Sequence, residues 1–324
     1  MKAMVCERFG GTETLALRDV PDPSPPGADE IQVRLGARGV QYVDVLMLAG
    51  KYQFRPEPPF IPGNEAAGHV VALGADVTGF AVGDAVMVRL TLGACAELAN
   101  AKAALCDRVP STLSLAQAGV FRGAYATAYH ALLQRGRLAA GETVLVHGAA
   151  GGIGIAAIQV AKTFGATVIA TAGSAEKRAA CLEEGADHAI DYRAGFTDQV
   201  KALTGGRGVD IVYDPIGDKV AEESLRCLAW GGRLLILGFL GGGPTNIRSN
   251  YLLIKGIDAV GVRIGGLNEA NPALAIANTK ALLALAEQGK LRPRISHTFR
   301  LDQAAEALQA VIDRTVIGKA VLVG

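Results

Sequence analysis

The chain has 324 residues, of which 50% are hydrophobic and 19% are charged, and its formal net charge at pH 7 is +1. This length predicts about two domains, and the composition excludes an intrinsically disordered chain because it supplies a large apolar core. The near-zero net charge argues against a nucleic-acid partner, which would need a basic face.

The N-terminus and the cysteines predict a cytoplasmic protein with no membrane partner. The first residues, MKAMVCERFGG, lack the apolar segment of a secretory signal, and the most apolar window (231–243) is too short and interrupted to span a bilayer. No C-x-x-C pair occurs, and an odd number of cysteines predicts reduced thiols that pack in the core. These cysteines are Cys6, Cys95, Cys106, Cys181 and Cys227.

Residues 1 to about 110 predict an irregular β-rich unit. Short β-like runs, IQVRL (31–35), AAGHVVALG (66–74) and DAVMVRL (84–90), are separated by Pro- and Gly-rich turns such as PDPSPPG and RPEPPFIPG.

From about residue 115 the pattern changes to alternating helices and strands. A helical segment (115–136) precedes ETVLVHG, a continuous apolar run that is typical of a strand buried on both faces of a parallel sheet. Further strand patterns follow at 167–173, 188–192, 209–214, 233–239 and 257–262. Six strands alternating with helices predict an α/β fold with a doubly wound parallel sheet and right-handed crossovers.

The last β-like segments, ISHTFRL (295–301) and GKAVLVG (318–324), have no place in that alternation. We predict that they return to complete the first domain, which is then discontinuous in sequence.

Four glycines directly follow the first strand of the alternation, in TVLVHGAAGGIG (143–154). The positions of the G-x-G-x-x-G fingerprint fall on Ala149, Gly151 and Gly154, between a strand and a helix as the fingerprint requires. Gly151 lets the backbone approach a pyrophosphate, whose charge the helix N-terminus favours, and Gly154 lets the helix lie close to the strand. The stretch therefore predicts a dinucleotide site.

The end of the second strand lacks the acid that usually binds the ribose 2′-hydroxyl of NAD. It carries Gly173, Ser174 and Lys177, which offer the space, hydrogen bonding and charge that the 2′-phosphate of NADPH requires. In the alternative interpretation Ser174 only caps the next helix, Lys177 is a solvated lysine, and Glu176 reads the ribose hydroxyl.

Stretches that cover the whole chain resemble one known superfamily. They are KAMVCERFGG, GVQYVDVLMLAGKY, PFIPGNEAAGHVVALG, TAYHAL, HGAAGGIGIAAIQVAKTFGA and GKAVLVG. In this order they resemble the medium-chain dehydrogenases/reductases, and most of all the zinc-free quinone oxidoreductases related to zeta-crystallin. The resemblance implies a GroES-like β-rich catalytic domain (1–121 and 265–324), an inserted Rossmann domain (122–264), a cleft between them, and a homodimer.

The resemblance also predicts that no metal is bound. Where zinc-dependent members carry their ligands, this chain has Gln41, Asn64 and approximately Gly123, and zinc needs Cys, His or carboxylate ligands. Glu65 and Asp44 remain, and we expect them to hold the loops of the cleft. Without a Lewis acid, the favoured chemistry is hydride transfer from NADPH to an acceptor that is already electrophilic, a quinone or an activated C=C bond.

Cofactor contacts are likewise implied motif by motif. Gln41 and Tyr52 border the nicotinamide and are the candidate catalytic residues, Thr127 and His130 lie near the diphosphate, and Tyr192 lies near the adenosine. The remaining cofactor contacts are Gly151, Gly152 and Ile153 in the glycine loop, then Phe239, Leu240, Gly241, Arg263, Ile264, Gly265 and Lys319.

Two residues, His147 and Tyr52, could take part in proton transfer. His147 precedes the glycine loop, and we predict a structural role for it. Tyr52 is the better candidate acid because it follows the Gln41 motif into the expected cleft, and packing alone is the alternative.

Three functions follow from these patterns. The leading hypothesis is an NADPH-dependent quinone oxidoreductase. The second is a reductase of alkenals, enones or enoyl thioesters, and the third is an NADPH-binding structural or regulatory protein with vestigial activity.

Overall fold

The computed structural model describes residues 1–324 and divides them into two compact units, Met1–Gly123 with Arg292–Gly324, and Ala124–Leu291. The resemblance implied that the Rossmann domain ends at residue 264, and this domain boundary stays a prediction. Residues 265–291 cluster here with the second unit, where Asn278 exchanges side-chain hydrogen bonds with Gln134.

Fifteen strands and eleven α-helices form the two units, together with short 3-10 and π-helical turns. The strands are β1 (Lys2–Cys6), β2 (Leu15–Asp19), β3 (Glu30–Val40), β4 (Glu65–Leu73), β5 (Ala85–Arg89), β6 (Leu98–Lys102), β7 (Cys106–Arg108), β8 (Thr143–Val146), β9 (Thr167–Thr171), β10 (His188–Ile190), β11 (Val209–Asp214), β12 (Leu228–Ile236), β13 (Asp258–Gly261), β14 (Ile295–Arg300) and β15 (Lys319–Val323). The helices are α1 (Tyr42–Leu48), α2 (Leu115–Ala118), α3 (Arg122–Tyr129), α4 (Gly152–Thr163), α5 (Ala175–Glu183), α6 (Thr197–Leu203), α7 (Asp218–Ser224), α8 (Ser249–Lys255), α9 (Ile264–Ala270), α10 (Pro272–Glu287) and α11 (Ala304–Ile312). None of the helices combines the length and apolarity needed to cross a membrane.

The first unit is built around the long strand β3. Its sheet has the order β14-β15-β3-β4-β5-β7, and β6 pairs with the first half of β3. Alternate residues of β3 (Ile31, Val33 and Leu35) are buried because one face of the sheet covers an apolar core. The predicted return of the C-terminal strands is confirmed, since β15 pairs antiparallel with β3.

The second unit contains a six-stranded parallel sheet of order β10-β9-β8-β11-β12-β13, which confirms the predicted doubly wound fold. Its central strands are covered on both faces, so Val144, Leu145 and Val146 are fully buried. The strand order reverses between β8 and β11, and ligands of such sheets bind beyond the carboxyl ends of the strands at this point.

Candidate active site

The glycine loop joins β8 to α4 in the second unit. Gly148 has a positive φ of 57°, which a residue with a side chain rarely adopts. A Cβ on Gly154 would lie 2.4 Å from the carbonyl oxygen of Gly148, so only glycine lets α4 approach the loop this closely. At Gly151 a Cβ would meet a single protein atom within 4 Å, the Gly148 oxygen at 3.3 Å. The protein itself therefore demands a bare backbone at Gly154 much more strongly than at Gly151.

Gly151 is also the N-cap of α4, and no side chain caps that helix end. The amides of Gly152 and Ile153 belong to the first turn, where backbone N–H groups lack partners inside the helix. An anion such as a pyrophosphate is suited to this place, because it accepts those hydrogen bonds and interacts favourably with the helix dipole.

His147 lies at the end of β8 and is only 1% exposed. Its Nδ1 is 3.0 Å from the Thr171 hydroxyl and its Nε2 is 2.8 Å from the Ser224 hydroxyl, so both ring nitrogens have partners. Burial lowers the pKa of His147 to about 3, and the ring is therefore neutral at ordinary pH. These contacts make His147 a structural link between β8, β9 and α7.

The end of β9 brings together the residues predicted to read the adenosine end of the cofactor. A Cβ on Gly173 would lie 3.2–3.4 Å from three atoms of the Tyr192 ring, so the bare glycine backbone lies against the ring. Ser174 is the N-cap of α5, and its Oγ accepts a hydrogen bond from the Lys177 backbone at 3.2 Å. Ser174 is exposed and Lys177 half-buried, so capping the helix leaves the serine hydroxyl accessible.

Two arginines beside this strand end were not among the predicted site residues. Arg178 donates to Ala172 O and to Asp191 Oδ2, at 3.2 and 2.9 Å, and Arg193 also binds Asp191. The hydrogen bonds from Arg193 lower the pKa of Asp191. The charge pattern EKR in α5 and DYR after β10 could have revealed both arginines in the sequence.

The loops after β11 and β12 pack on one another at the same edge of the sheet. The buried carboxylate of Asp214 accepts backbone hydrogen bonds from Ile216 and Gly217, while burial raises its pKa. The predicted residues Leu240 and Gly241 donate backbone hydrogen bonds to this loop, at 3.2 Å to Pro215 O and 2.7 Å to Ile216 O.

The remaining predicted residues of this edge are in part exposed. Phe239 is 51% exposed. Arg263, also exposed, precedes α9, which begins with Ile264 and Gly265, and its guanidinium lies 3.1 Å from Glu269.

Thr127 and His130 lie on the helical segment that precedes β8. Thr127 is half-buried in α3, and His130 opens a π-helical turn that ends at Arg135. His130 Nδ1 is 2.9 Å from Gln134 Oε1, and Gln134 and Asn278 exchange two amide hydrogen bonds of 2.7 and 3.0 Å. Because Gln134 Oε1 can only accept, His130 donates from Nδ1 in this contact.

In the first unit, three strand ends meet at a second polar cluster. Arg38 pairs with Ala66, and Val40 pairs with Ala320. Continuing these two registers by one residue brings Gly39 to Glu65, and Gln41, which follows β3, to the start of β15 at Lys319. A Cβ on Gly39 would lie 2.7 Å from Glu65 Oε1, so this glycine makes room for the carboxylate.

The amide cluster, which we define as Gln41, Asn64, Glu65 and Lys319, is joined by direct contacts. Gln41 Nε2 donates to Asn64 Oδ1 at 3.0 Å, and Lys319 Nζ lies 3.3 Å from Glu65 Oε1. Glu65 Oε2 accepts the Gly123 backbone N–H at 2.7 Å. Glu65 and Lys319 are buried and the two amides are half-buried, so the amides form the accessible part of the cluster.

Asp44 supports this cluster from α1. Its Oδ2 accepts the backbone N–H of Gln41 at 2.9 Å, which fixes the start of the helix beside the amide cluster. The side chain is 3% exposed, and burial raises the pKa of Asp44 to about 7. Asp44 is therefore a neutral acid below about this pH.

The residues of this region do not fit a zinc ion. Amides and a backbone N–H occupy the three candidate positions, and the Glu65 carboxylate is already bound by an ammonium and an amide. No group of three or more His, Cys, Asp and Glu side chains is placed to hold a metal.

Tyr52 lies in the loop after α1. Its side chain is half-buried, and its hydroxyl makes no hydrogen bond within the chain. Such a hydroxyl can donate to a bound molecule without first breaking a protein contact.

A GroES-like unit combined with a doubly wound dinucleotide-binding unit defines an oxidoreductase of the medium-chain dehydrogenase/reductase superfamily. Residues 27–140 match the family described as alcohol dehydrogenase GroES-like domain, and residues 152–279 match the family described as zinc-binding dehydrogenase. The second range contains none of Gln41, Asn64 and Gly123.

Proteins that are similar to this chain over nearly its full length identify the family within the superfamily. A quinone oxidoreductase-like protein 2 homolog of Nematostella vectensis is 36% identical over 325 residues, which cover 99% of this chain and 88% of that protein. The quinone oxidoreductase of Sus scrofa is 35% identical over 327 residues, covering 99% and 97%. The crystal structure of Escherichia coli quinone oxidoreductase complexed with NADPH matches with a TM-score of 0.91 and 29% identity, covering 100% of both chains. This chain belongs to the zeta-crystallin-like quinone oxidoreductase family of the medium-chain dehydrogenases/reductases.

Proposed function

We propose that this protein reduces a quinone with NADPH and needs no zinc. The amide cluster carries the proposal, because it offers hydrogen-bond donors for a carbonyl acceptor where a zinc enzyme would need metal ligands. NADPH, when bound, supplies a hydride, and the protein binds and orients the reactants and excludes water.

The second unit would hold the dinucleotide. The free backbone amides at the start of α4 suit the diphosphate, with Gly151, Gly152 and Ile153 nearest to it. Gly173, Ser174, Lys177 and Tyr192 would hold the adenosine and its 2′-phosphate. The further proposed cofactor contacts are Thr127, His130, Phe239, Leu240, Gly241, Arg263, Ile264, Gly265, Gln41 and Lys319, with Gln41 and Tyr52 also as the catalytic residues.

A panel of acceptors tests the proposal. Purified protein should oxidise NADPH in the presence of quinones, and treatment with a chelator should not change the rate. Stoichiometric zinc in an elemental analysis, lost together with activity on chelation, would contradict zinc independence. Binding of NADPH without turnover of any acceptor would instead support the structural or regulatory role.

An enone, alkenal or enoyl-thioester reductase is the second candidate, and the unpartnered hydroxyl of Tyr52 favours it. Reduction of an enone leaves an enolate that needs a proton, whereas a hydroquinone anion is stabilised by aromatic delocalisation. A higher kcat/KM on enones than on every quinone in the panel would favour this candidate.

We also propose a cytoplasmic homodimer. In the second unit, β13 pairs only with β12, and its other edge is open to a further strand. Trp230 and the α8 residues Leu253 and Ile254 are 79%, 82% and 68% exposed. Large exposed apolar side chains and an open strand edge are typical of a surface that binds another protein chain.

A further inference from the structure

The amide of Asn64 has donors that the protein does not use. Its Oδ1 accepts from Gln41 Nε2, and its Nδ2 has no hydrogen-bond partner within the chain. Two carboxamides carry four N–H bonds, of which this pair uses one. Exchanging O and N in both amides leaves the number of unused donors the same. Both side chains are half-buried, so these donors are accessible to a small molecule.

The main chain of both residues is held in place beside the amide pair. The backbone N–H of Gln41 donates to Asp44 Oδ2 at the start of α1, and the backbone carbonyl of Asn64 accepts the Leu90 N–H at 2.9 Å. The adjacent Glu65 is held by Gly123 and Lys319. Donors that are already in place stabilise charge without reorganising during a reaction.

A second amide pair in the same unit shows the contrast. Gln32 Nε2 donates to Asn100 Oδ1 at 3.1 Å, as Gln41 does to Asn64, but Asn100 Nδ2 donates in turn to Ser24 O at 2.8 Å. The Asn100 pair is thus a closed structural contact, whereas the Asn64 pair leaves its donors open.

We propose that Asn64 and Gln41 together bind the acceptor oxygen and stabilise the negative charge that develops on it. This inference rests on the proposed oxidoreductase function and makes Asn64 a catalytic residue of it. Hydride addition brings two electrons and one hydrogen to the conjugated acceptor, and a π-electron pair moves onto the carbonyl oxygen. A proton, from Tyr52 or from solvent, then completes the reduced product. The amide N–H bonds interact more strongly with this oxyanion than with the neutral carbonyl, which is the condition for catalysis.

Lys319 acts here as a positioning residue. Its ammonium neutralises the buried Glu65 carboxylate, so the oxyanion does not face an uncompensated negative charge. Burial of Asp44, which keeps its carboxyl neutral up to about pH 7, acts in the same direction.

The pKa of bound 4-nitrophenol tests the site without any turnover. An oxyanion site binds the phenolate more tightly than the phenol, and a hydrogen bond to a charged group predicts a pKa at least about one unit below that of the free probe. Absorbance titration should show this shift in the parent and in Asn100→Leu, and Asn64→Leu should abolish it. An unshifted pKa in the parent, an equal shift in Asn64→Leu, or no binding of the probe would overturn the proposal.

Kinetics provide a second and separate test. Asn64→Leu should lower kcat on quinones and enones roughly 10²-fold, the usual effect of losing one oxyanion donor, while the Kd of NADPH stays unchanged. Asn64→Gln should restore part of the rate, and Asn100→Leu should match the parent. Parental kcat in Asn64→Leu would refute the role of Asn64, whereas turnover of quinones by the parent would still support the proposed function. Absence of turnover in the parent would refute the proposed function, and the titration would still decide on the amide pair.

Discussion

Lys177 separates the two interpretations of cofactor preference at the level of single residues. The Ser174 hydroxyl caps α5 through the Lys177 backbone, and the half-buried Lys177 side chain brings a positive charge to the end of β9. A charge-assisted contact of this kind is worth roughly 1.5–3 kcal/mol, so NADPH should exceed NADH about tenfold to hundredfold in kcat/KM. Lys177→Ala should reduce this preference, mainly through the KM for NADPH. Equal efficiency of the parent with both cofactors would indicate that Glu176 reads a ribose hydroxyl, and Glu176→Gln should then impair NADH.

Tyr52 distinguishes the two acceptor classes. If its hydroxyl is the proton donor, Tyr52→Phe should lower kcat on enones on the order of 10²–10⁴-fold, because general acid catalysis contributes this much. The effect on quinones should be small, and NADPH binding should stay near the parental value. Steady-state rates on one enone and one quinone check this expectation. If the Tyr52→Phe variant reduces enones at the parental rate, Tyr52 is not a proton donor and only packs in the site.

Asp44 predicts a dependence of stability on pH. Its folded-state pKa of about 7 lies above the unfolded value of about 3.9, so the folded state holds the proton more tightly. The stability contributed by protonated Asp44 is complete below about pH 4, is lost as pH rises to about 7, and stays lost above that. The total loss is on the order of 4 kcal/mol. Asp44→Asn keeps an acceptor for the Gln41 N–H and does not ionise, so its thermal midpoint should gain on that of the parent between pH 4 and 7.

Asp302 provides a control of opposite sign for this measurement. It is exposed, and hydrogen bonds from Arg300 lower its pKa, so its contribution is lost on acidification. The thermal midpoint of Asp302→Asn should therefore lie slightly below that of the parent at neutral pH, and this difference should disappear as pH falls. A midpoint difference between Asp44→Asn and the parent that stays constant from pH 4 to 7 would show that Asp44 is ionised throughout.

At the level of elements, Gly151 and Gly154 have different roles in the loop between β8 and α4. A Cβ on Gly154 would lie within 2.4–2.6 Å of loop backbone atoms, which cannot yield without moving the helix. Gly154→Ala should therefore cost roughly 1–3 kcal/mol of stability, as overpacking does. Gly151 has a φ of −82°, which any residue adopts, and a Cβ there would have one neighbour at 3.3 Å. The Gly151→Ala variant should therefore fold normally. Its methyl group would meet the diphosphate, and its Kd for NADPH should rise at least tenfold.

Urea unfolding without cofactor and NADPH titration measure the two effects separately. Loss of stability in Gly151→Ala, or unchanged stability in Gly154→Ala, would contradict this division of roles.

The second unit was predictable from the sequence because its signals are local. The strand VDIVYD, the glycines of HGAAGGIG and the helix that follows each carry their own periodicity, and neighbouring elements pack in order. The amide cluster was only partly predictable. Gln41 and Asn64 were identified as departures from a motif, but their hydrogen bond depends on the register between β3 and β4. The ion pair of Glu65 with Lys319 spans 254 residues and depends on the pairing of β15 with β3.

Register and long-range pairing also explain what the sequence did not reveal in the second unit. The hydrogen bonds between the side-chain amides of Gln134 and Asn278 join residues 144 positions apart, and no local sequence pattern marks either residue. The π-helical turn at His130 continues a regular α-helical pattern in the sequence, so its i to i+5 bonds follow from packing rather than from propensity.

At the scale of the whole molecule, the exposed apolar residues Trp230 of β12 and Leu253 and Ile254 of α8, together with the open edge of β13, predict a dimer in solution. A two-fold axis would repeat each contact, so one substitution places two charges in the interface. Leu253→Glu should therefore convert a dimer to a monomer, since an uncompensated buried charge costs roughly 3–5 kcal/mol. Val82 is a matched control, because it is 66% exposed in the first unit, and Val82→Glu should leave the dimer intact. Light scattering after size exclusion measures the mass of each variant. A parent protein that elutes as a monomer at micromolar concentration, or a Leu253→Glu variant that stays dimeric, would show that this surface does not bind a second copy.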